Sequence, residues 1–150
     1  MDTAIVWFRD DLRVDDNPTL ADAVAAADRV VPVYVADPRR RGKTRYGTAK
    51  RGPIRARFRR ESILDLRETL RERGGELVVR AGRAETVIPK LAEQVEAAAV
   101  YAQTKPAPEE LERESAVRES LPEDVAFERR WTHTLYHLDD LPTPYDRIND

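Results

Sequence analysis

The sequence predicts an open α/β fold, a five-stranded parallel sheet with helices on both faces. Short apolar runs rich in β-branched residues alternate with segments whose apolar residues recur every three or four positions. The first run, Thr3-Ala4-Ile5-Val6, is uncharged and reads as a strand buried on both faces. A dense charged stretch follows at once, with Arg9, Asp10, Asp11, Arg13, Asp15 and Asp16, and it closes on Asn17-Pro18. Asn17 suits a helix cap and Pro18 a first helical turn. The stretch is therefore a strand-to-helix loop, at the edge where open parallel sheets place their sites.

The remaining elements follow in order. A helix is predicted from Pro18 to about Ala27 with Leu20, Val24 and Ala27 on one face, then a strand from Val30 to Val35 ended by Asp37-Pro38. A long connection, a candidate for function or disorder, runs to Gly52. A long helix then extends from Pro53 to about Arg73, with Ile54, Phe58, Leu66 and Leu70 facing inward and Gly74-Gly75 at its end. Leu77-Val78-Val79 is the third strand. The helix beginning near Ala84 carries a Val87, Ile88, Leu91 and Val95 stripe, and Pro89 should kink or split it. Ala98 to Ala102 is the fourth strand, Glu109 to about Glu119 a charged helix, and Val125 to Glu128 the fifth strand.

Composition excludes several classes. A length of 150 residues fits one domain, and with no cysteine there is no disulfide, thiolate chemistry or sulfur-ligated metal. No apolar run approaches a membrane span and no signal peptide is apparent, so the cytoplasm is the default and no membrane partner is expected. The net charge of −2 conceals an asymmetry: Arg39 to Arg60 holds eleven Lys or Arg and no acid. That segment either contacts phosphate, an acidic surface or nucleic acid, or is a solvated face.

Catalytic patterns are lacking. There is no glycine-rich phosphate loop, since only six glycines exist and none follows the first strand. The charges between Arg9 and Asp16, two Arg interleaved with four Asp, read as loop bracing and helix capping rather than acid–base catalysis. His133 and His137 have the i, i+4 spacing of helical zinc ligands, but only Asp139 and Asp140 stand near as further ligands. The aromatic set Trp7, Phe8, Tyr34, Phe58, Tyr101, Phe127 and Trp131 reads mainly as core.

The pattern W-F-R-x-D-L-R-x-x-D-N-P-x-L, from Trp7 to Leu20, resembles the opening signature of the photolyase/cryptochrome family. Val33-Tyr34-Val35-Ala36-Asp37-Pro38, Gly52-Pro53-Ile54-Arg55-Ala56-Arg57-Phe58 and Leu77-Val78-Val79-Arg80-Ala81-Gly82 fit the same family in order. The tail, His133 to His137 with Asp139-Asp140-Leu141-Pro142, resembles the DASH-type branch. The resemblance implies a Rossmann-like sheet of strand order 3-2-1-4-5, with the Trp7–Asn17 loop beside the switch point. It also implies a pocket for a light-harvesting antenna pigment (folate, deazaflavin or flavin), mapped here to Tyr34, Ala36, Asp37 and Arg55. After the fourth strand the family usually offers an acid to the pigment, whereas this chain has Lys105. That residue reverses the local charge, counts against folate-type binding and leaves an anionic or flavin-type ligand open. In the family the FAD and its chemistry lie in a long C-terminal helical domain. Residues 1–150 hold no counterpart, so that domain is expected as a missing or separate partner.

Three readings stand at this stage: an antenna domain, a small-ligand or nucleotide enzyme on a related scaffold, and an interaction module docking through its arginine-rich segment. The antenna reading predicts no photolyase activity from these residues alone.

Overall fold

A computed structural model describes residues 3–42 and 52–132. Five parallel strands form one sheet: β1 (Thr3–Phe8), β2 (Arg29–Ala36), β3 (Val78–Ala81), β4 (Ala99–Thr104) and β5 (Ala126–Trp131). Their order is β3-β2-β1-β4-β5, which matches the expected topology. Between them run α1 (Pro18–Ala26), α2 (Pro53–Glu72), α3 (Ala84–Gln94) and α4 (Pro108–Ser120), with a short 3-10 turn at Pro38–Arg41.

The strand period of two divides the core. Ile5 and Trp7 of β1, with Val33, Val35, Val100 and Ala102, pack beneath Ile88 and Leu91 of α3 and Val117 of α4. Ala4, Val6 and Phe8 point the other way, joining Tyr34, Ala99 and Tyr101 beneath Leu20 of α1 and Leu66 and Leu70 of α2. β1 is buried along its whole length, as a central parallel strand must be.

Helix ends obey local rules. Asn17 caps α1, its side chain accepting from the Leu20 N–H at 3.1 Å, with Pro18 behind it. Gly74 takes φ of +79° just past α2, and the Gly75 N–H returns to the Leu70 carbonyl at 2.8 Å.

Three expectations fail in instructive ways. Ile54 and Phe58 are 83% and 71% exposed, not inward-facing. The eight residues from Phe58 to Leu66 span about 2.2 helical turns, which rotates Leu66 roughly 80° from Phe58. The core stripe of α2 is Leu66 and Leu70 with Ile63. On α1, Val24 is exposed, and Thr19, Leu20 and Ala23 form the buried face. Finally, Pro89 does not split α3, since it lies buried inside a single helix.

Candidate functional site

The loop after β1 divides its charges between the two faces of the sheet. Trp7 and Arg9 go to the α4 side, Phe8 and Asp10 to the α2 side, which continues the alternation of the strand.

Arg9 is buried, with its side chain only 1% exposed. Its Nη1 donates to the Gln103 carbonyl at 2.9 Å and to Glu114 Oε2 at 2.8 Å. Its Nη2 donates to the Glu110 carbonyl at 3.1 Å and to Glu110 Oε2 at 2.7 Å. The guanidinium carbon lies 4.9 Å from the Trp7 ring centroid, within cation–π range. Glu114, also buried, accepts from Thr104 Oγ1 at 2.9 Å and from Arg129 at 3.4 Å. This network ties the end of β1 to β4, α4 and β5.

Asp11 is buried too, accepting from the Arg9 N–H at 3.0 Å and standing beside Asn17. Burial pushes its carboxyl above the ordinary value, although the Arg9 and Asn17 hydrogen bonds oppose the shift. Arg13 donates to the Asp16 carbonyl at 2.8 Å, and Arg73 pairs with Asp15 at 2.9 Å. The loop is braced as expected.

Asp10 behaves differently, since its two oxygens take Arg59 of α2 and Lys105 beyond β4. The Nη1 of Arg59 also donates to the Arg9 carbonyl at 3.0 Å. These residues border an open groove of about 500 Å³, lined by Asp10, Leu12, Arg13, Arg55, Phe58, Arg59, Ser62, Lys105 and Glu110. That volume falls in the ordinary range for small-molecule sites. Burial lowers the Lys105 pKa, with Glu110 opposing and Arg9 and Arg113 adding to the effect.

Tyr34 and Asp37 sit elsewhere. Together with Trp7, Phe8, Arg9, Glu110 and Arg113 they border a crevice of about 10 Å³, room for roughly one water. Ala36, at the end of β2, packs half-buried against the α1/α2 side of the core. Asp37 caps the 3-10 turn by accepting from the Arg39 N–H at 2.9 Å. The Arg39 guanidinium then bridges Asp37 at 2.6 Å and Glu85 of α3 at 2.8 Å. Burial favours the neutral acids, but the Arg39 hydrogen bonds outweigh it and hold both carboxyls below their ordinary values. Of the five predicted site residues, Arg55 and Lys105 thus share the groove, Tyr34 and Asp37 share the crevice, and Ala36 lines neither, whereas Glu110, which was not predicted, lines both.

The basic segment is less bare than its sequence suggests. Arg39, Arg57 and Arg59 each meet an acid of the fold, namely Asp37 with Glu85, Glu61, and Asp10. Arg51 lies outside the described residues, as do His133, His137, Asp139 and Asp140. Among the described residues no group of three His, Cys, Asp or Glu is placed to hold a metal. The buried Arg9–Glu110–Glu114 cluster escaped sequence reasoning. Its signal was the i, i+4 pair Glu110 and Glu114 on a face that also carries Val117.

A family profile described as DNA photolyase matches residues 4–148. The chain belongs to the DNA photolyase family. More fully, it is an N-terminal photolyase-related domain of the photolyase/cryptochrome family. It is 60% identical to the cryptochrome DASH of Natronomonas pharaonis over 100% of its own length and 32% of that protein. To the cryptochrome DASH of Gloeobacter violaceus it is 44% identical over 97% of the chain and 29% of the relative. The crystal structure of a Synechocystis cryptochrome superposes with a TM-score of 0.91 at 36% identity, covering 95% of this chain and 30% of that one. An archaeal photolyase from Sulfolobus tokodaii, described as holding two FAD molecules, superposes at 0.81 with 29% identity over 93% of this chain and 31% of that one. The chain thus spans about a third of the length of these DNA photolyase relatives. Among the described residues no helix is long and apolar enough to cross a membrane.

Proposed function

We propose that residues 1–150 are the light-harvesting part of a larger photolyase or cryptochrome, holding an antenna pigment for a FAD-binding helical domain. On this reading the chain carries out no photochemical repair or signalling by itself. The observation that carries it is the open groove at the sheet edge, where Arg55 and Lys105 flank an outward-facing aromatic ring, Phe58. The Sulfolobus tokodaii photolyase is described as having two FAD molecules with the implication of a novel light-harvesting cofactor, which supports a flavin among the possible pigments.

The donor set fits an anionic, planar pigment of the flavin or folate kind. Phe58 offers a stacking face, while Arg55 and Lys105 offer charge to a phosphate or carboxylate tail. Such a pigment supplies absorption of near-ultraviolet or blue light, and the protein binds and orients it. The crevice of Tyr34 and Asp37 is too small for its ring system. Those two residues would shape the wall beyond Glu110, while Ala36 packs against the core behind them.

Reconstitution tests the proposal. The purified chain is incubated separately with FMN, a reduced folate and a deazaflavin, desalted, and scanned between about 350 and 450 nm. Retention of one pigment, reduced by Arg55→Ala and by Lys105→Ala, is the expected result. Retention of none, or retention indifferent to both substitutions, would overturn the assignment.

A further inference from the structure

Four cations line the groove, Arg13, Arg55, Arg59 and Lys105, against two carboxylates, Asp10 and Glu110. Glu110 is engaged from behind by Arg9 at 2.7 Å and Arg113 at 3.1 Å. Asp10 pairs directly with two of the groove's cations, Arg59 on one wall and Lys105 on the other. Its carboxylate therefore lies between the two charges that an incoming anion needs.

We propose that Asp10 is an internal anion of the groove, and that an anionic ligand binds only by displacing its carboxylate from Arg59 and Lys105. The residue at position 10 then sets how strongly the groove selects for charge. This rests on the groove being the ligand site proposed above.

The surroundings suit an exchange. The backbone around Asp10 is pinned: Arg9 is buried in its network, the Arg9 carbonyl accepts from Arg59 at 3.0 Å, and Asp11 is buried beside Asn17. Displacement therefore proceeds by rotation of the Asp10 side chain while the loop backbone stays in place. The bridging side chains are part-exposed, at 27% for Asp10, 20% for Arg59 and 17% for Lys105. Ion pairs so near water are weak and exchangeable. A ligand with two negative charges on one group competes well against a single carboxylate, since it brings twice the charge to the same two cations. Arg55 has no ion-pair partner among the described residues and is available as a third contact.

Inorganic pyrophosphate, titrated calorimetrically at low salt, probes the exchange without any pigment. Asp10→Asn keeps the side-chain shape and removes the charge. It should bind pyrophosphate about tenfold more tightly than the native chain, equivalent to about 1.4 kcal/mol. Asp10→Asn/Lys105→Ala should lose that gain, and circular dichroism would confirm that each variant is folded. Equal affinity of the native chain and Asp10→Asn overturns the proposal. A gain that survives Lys105→Ala does so too, as does the absence of binding by Asp10→Asn. A pyrophosphate gain with no pigment retained defeats the antenna assignment alone, whereas pigment retention with no effect of Asp10→Asn defeats only the displacement.

Discussion

Replacing Arg9 with methionine removes the charge at the centre of the buried network while roughly keeping its volume. Glu114 then keeps only Thr104 and the longer contact to Arg129, at 2.9 and 3.4 Å, and the Gln103 carbonyl loses a donor. Glu110 is better placed, being 15% exposed and still paired with Arg113. Breaking one side of a buried ion pair costs about 3–5 kcal/mol, because the other charge stays desolvated and unmatched. In a domain of this size each kcal/mol lowers Tm by about 2–4 °C, so Arg9→Met should lower it by roughly 6–20 °C. Urea unfolding followed by circular dichroism and tryptophan fluorescence measures the loss at constant m-value. Arg9→Met/Glu114→Leu should recover most of it, since a buried pair exchanged for apolar groups is often neutral. A single-variant loss under about 1 kcal/mol, or a double variant as unstable as the two singles combined, would refute the reasoning.

Other outcomes follow from the same geometry. Phe58→Ala, which an inward-facing stripe would make costly, should change stability by no more than about 0.5 kcal/mol in urea, as befits an exposed ring. Gly82→Ala should cost about 1–3 kcal/mol, because φ is +143° and a Cβ would stand 3.0 Å from Val87 Cγ2; a neutral result in the same assay would show that the turn relaxes. The Glu85 carboxyl is held below its ordinary 4.5, so its contribution is complete above that value and is lost as pH falls through the lowered one. Glu85→Gln should therefore lose less stability than the native chain when thermal unfolding is compared at about pH 5 and pH 3.

The layering of this domain is plain in the sequence because five stretches of period 2 alternate with four of period 3.6 and because proline and glycine mark the helix ends. Strand order is not contained in those periods; it came from the resemblance carried by the Trp7–Leu20 pattern. Side-chain direction on α2 was misread because Phe58 and Leu66 look alike in composition, while the turns between them rotate one away from the other. Arg59, not Phe58, ends up against the loop after β1. Arg9 and Glu114 are equally opaque, since each reads as a solvated charge until folding brings them together across 105 residues. The basic segment posed the same difficulty, because Asp10 and Glu85, which neutralise parts of it, lie in other elements.

The position of Arg9 also bears on the order in which the chain folds. Ala4 pairs with Val30 on one side of β1 and with Ala99 on the other. Closing the first contact loops out far less chain than closing the second, so the β1-β2-β3 half has the smaller entropic barrier. Every side-chain bond that Arg9 makes, to Gln103, Glu110 and Glu114, spans 94 to 105 residues and crosses the seam between the two halves. The guanidinium can lock only after β4 and α4 have docked. It acts as a late fastener, so its loss should leave the refolding rate nearly unchanged and appear almost wholly as faster unfolding.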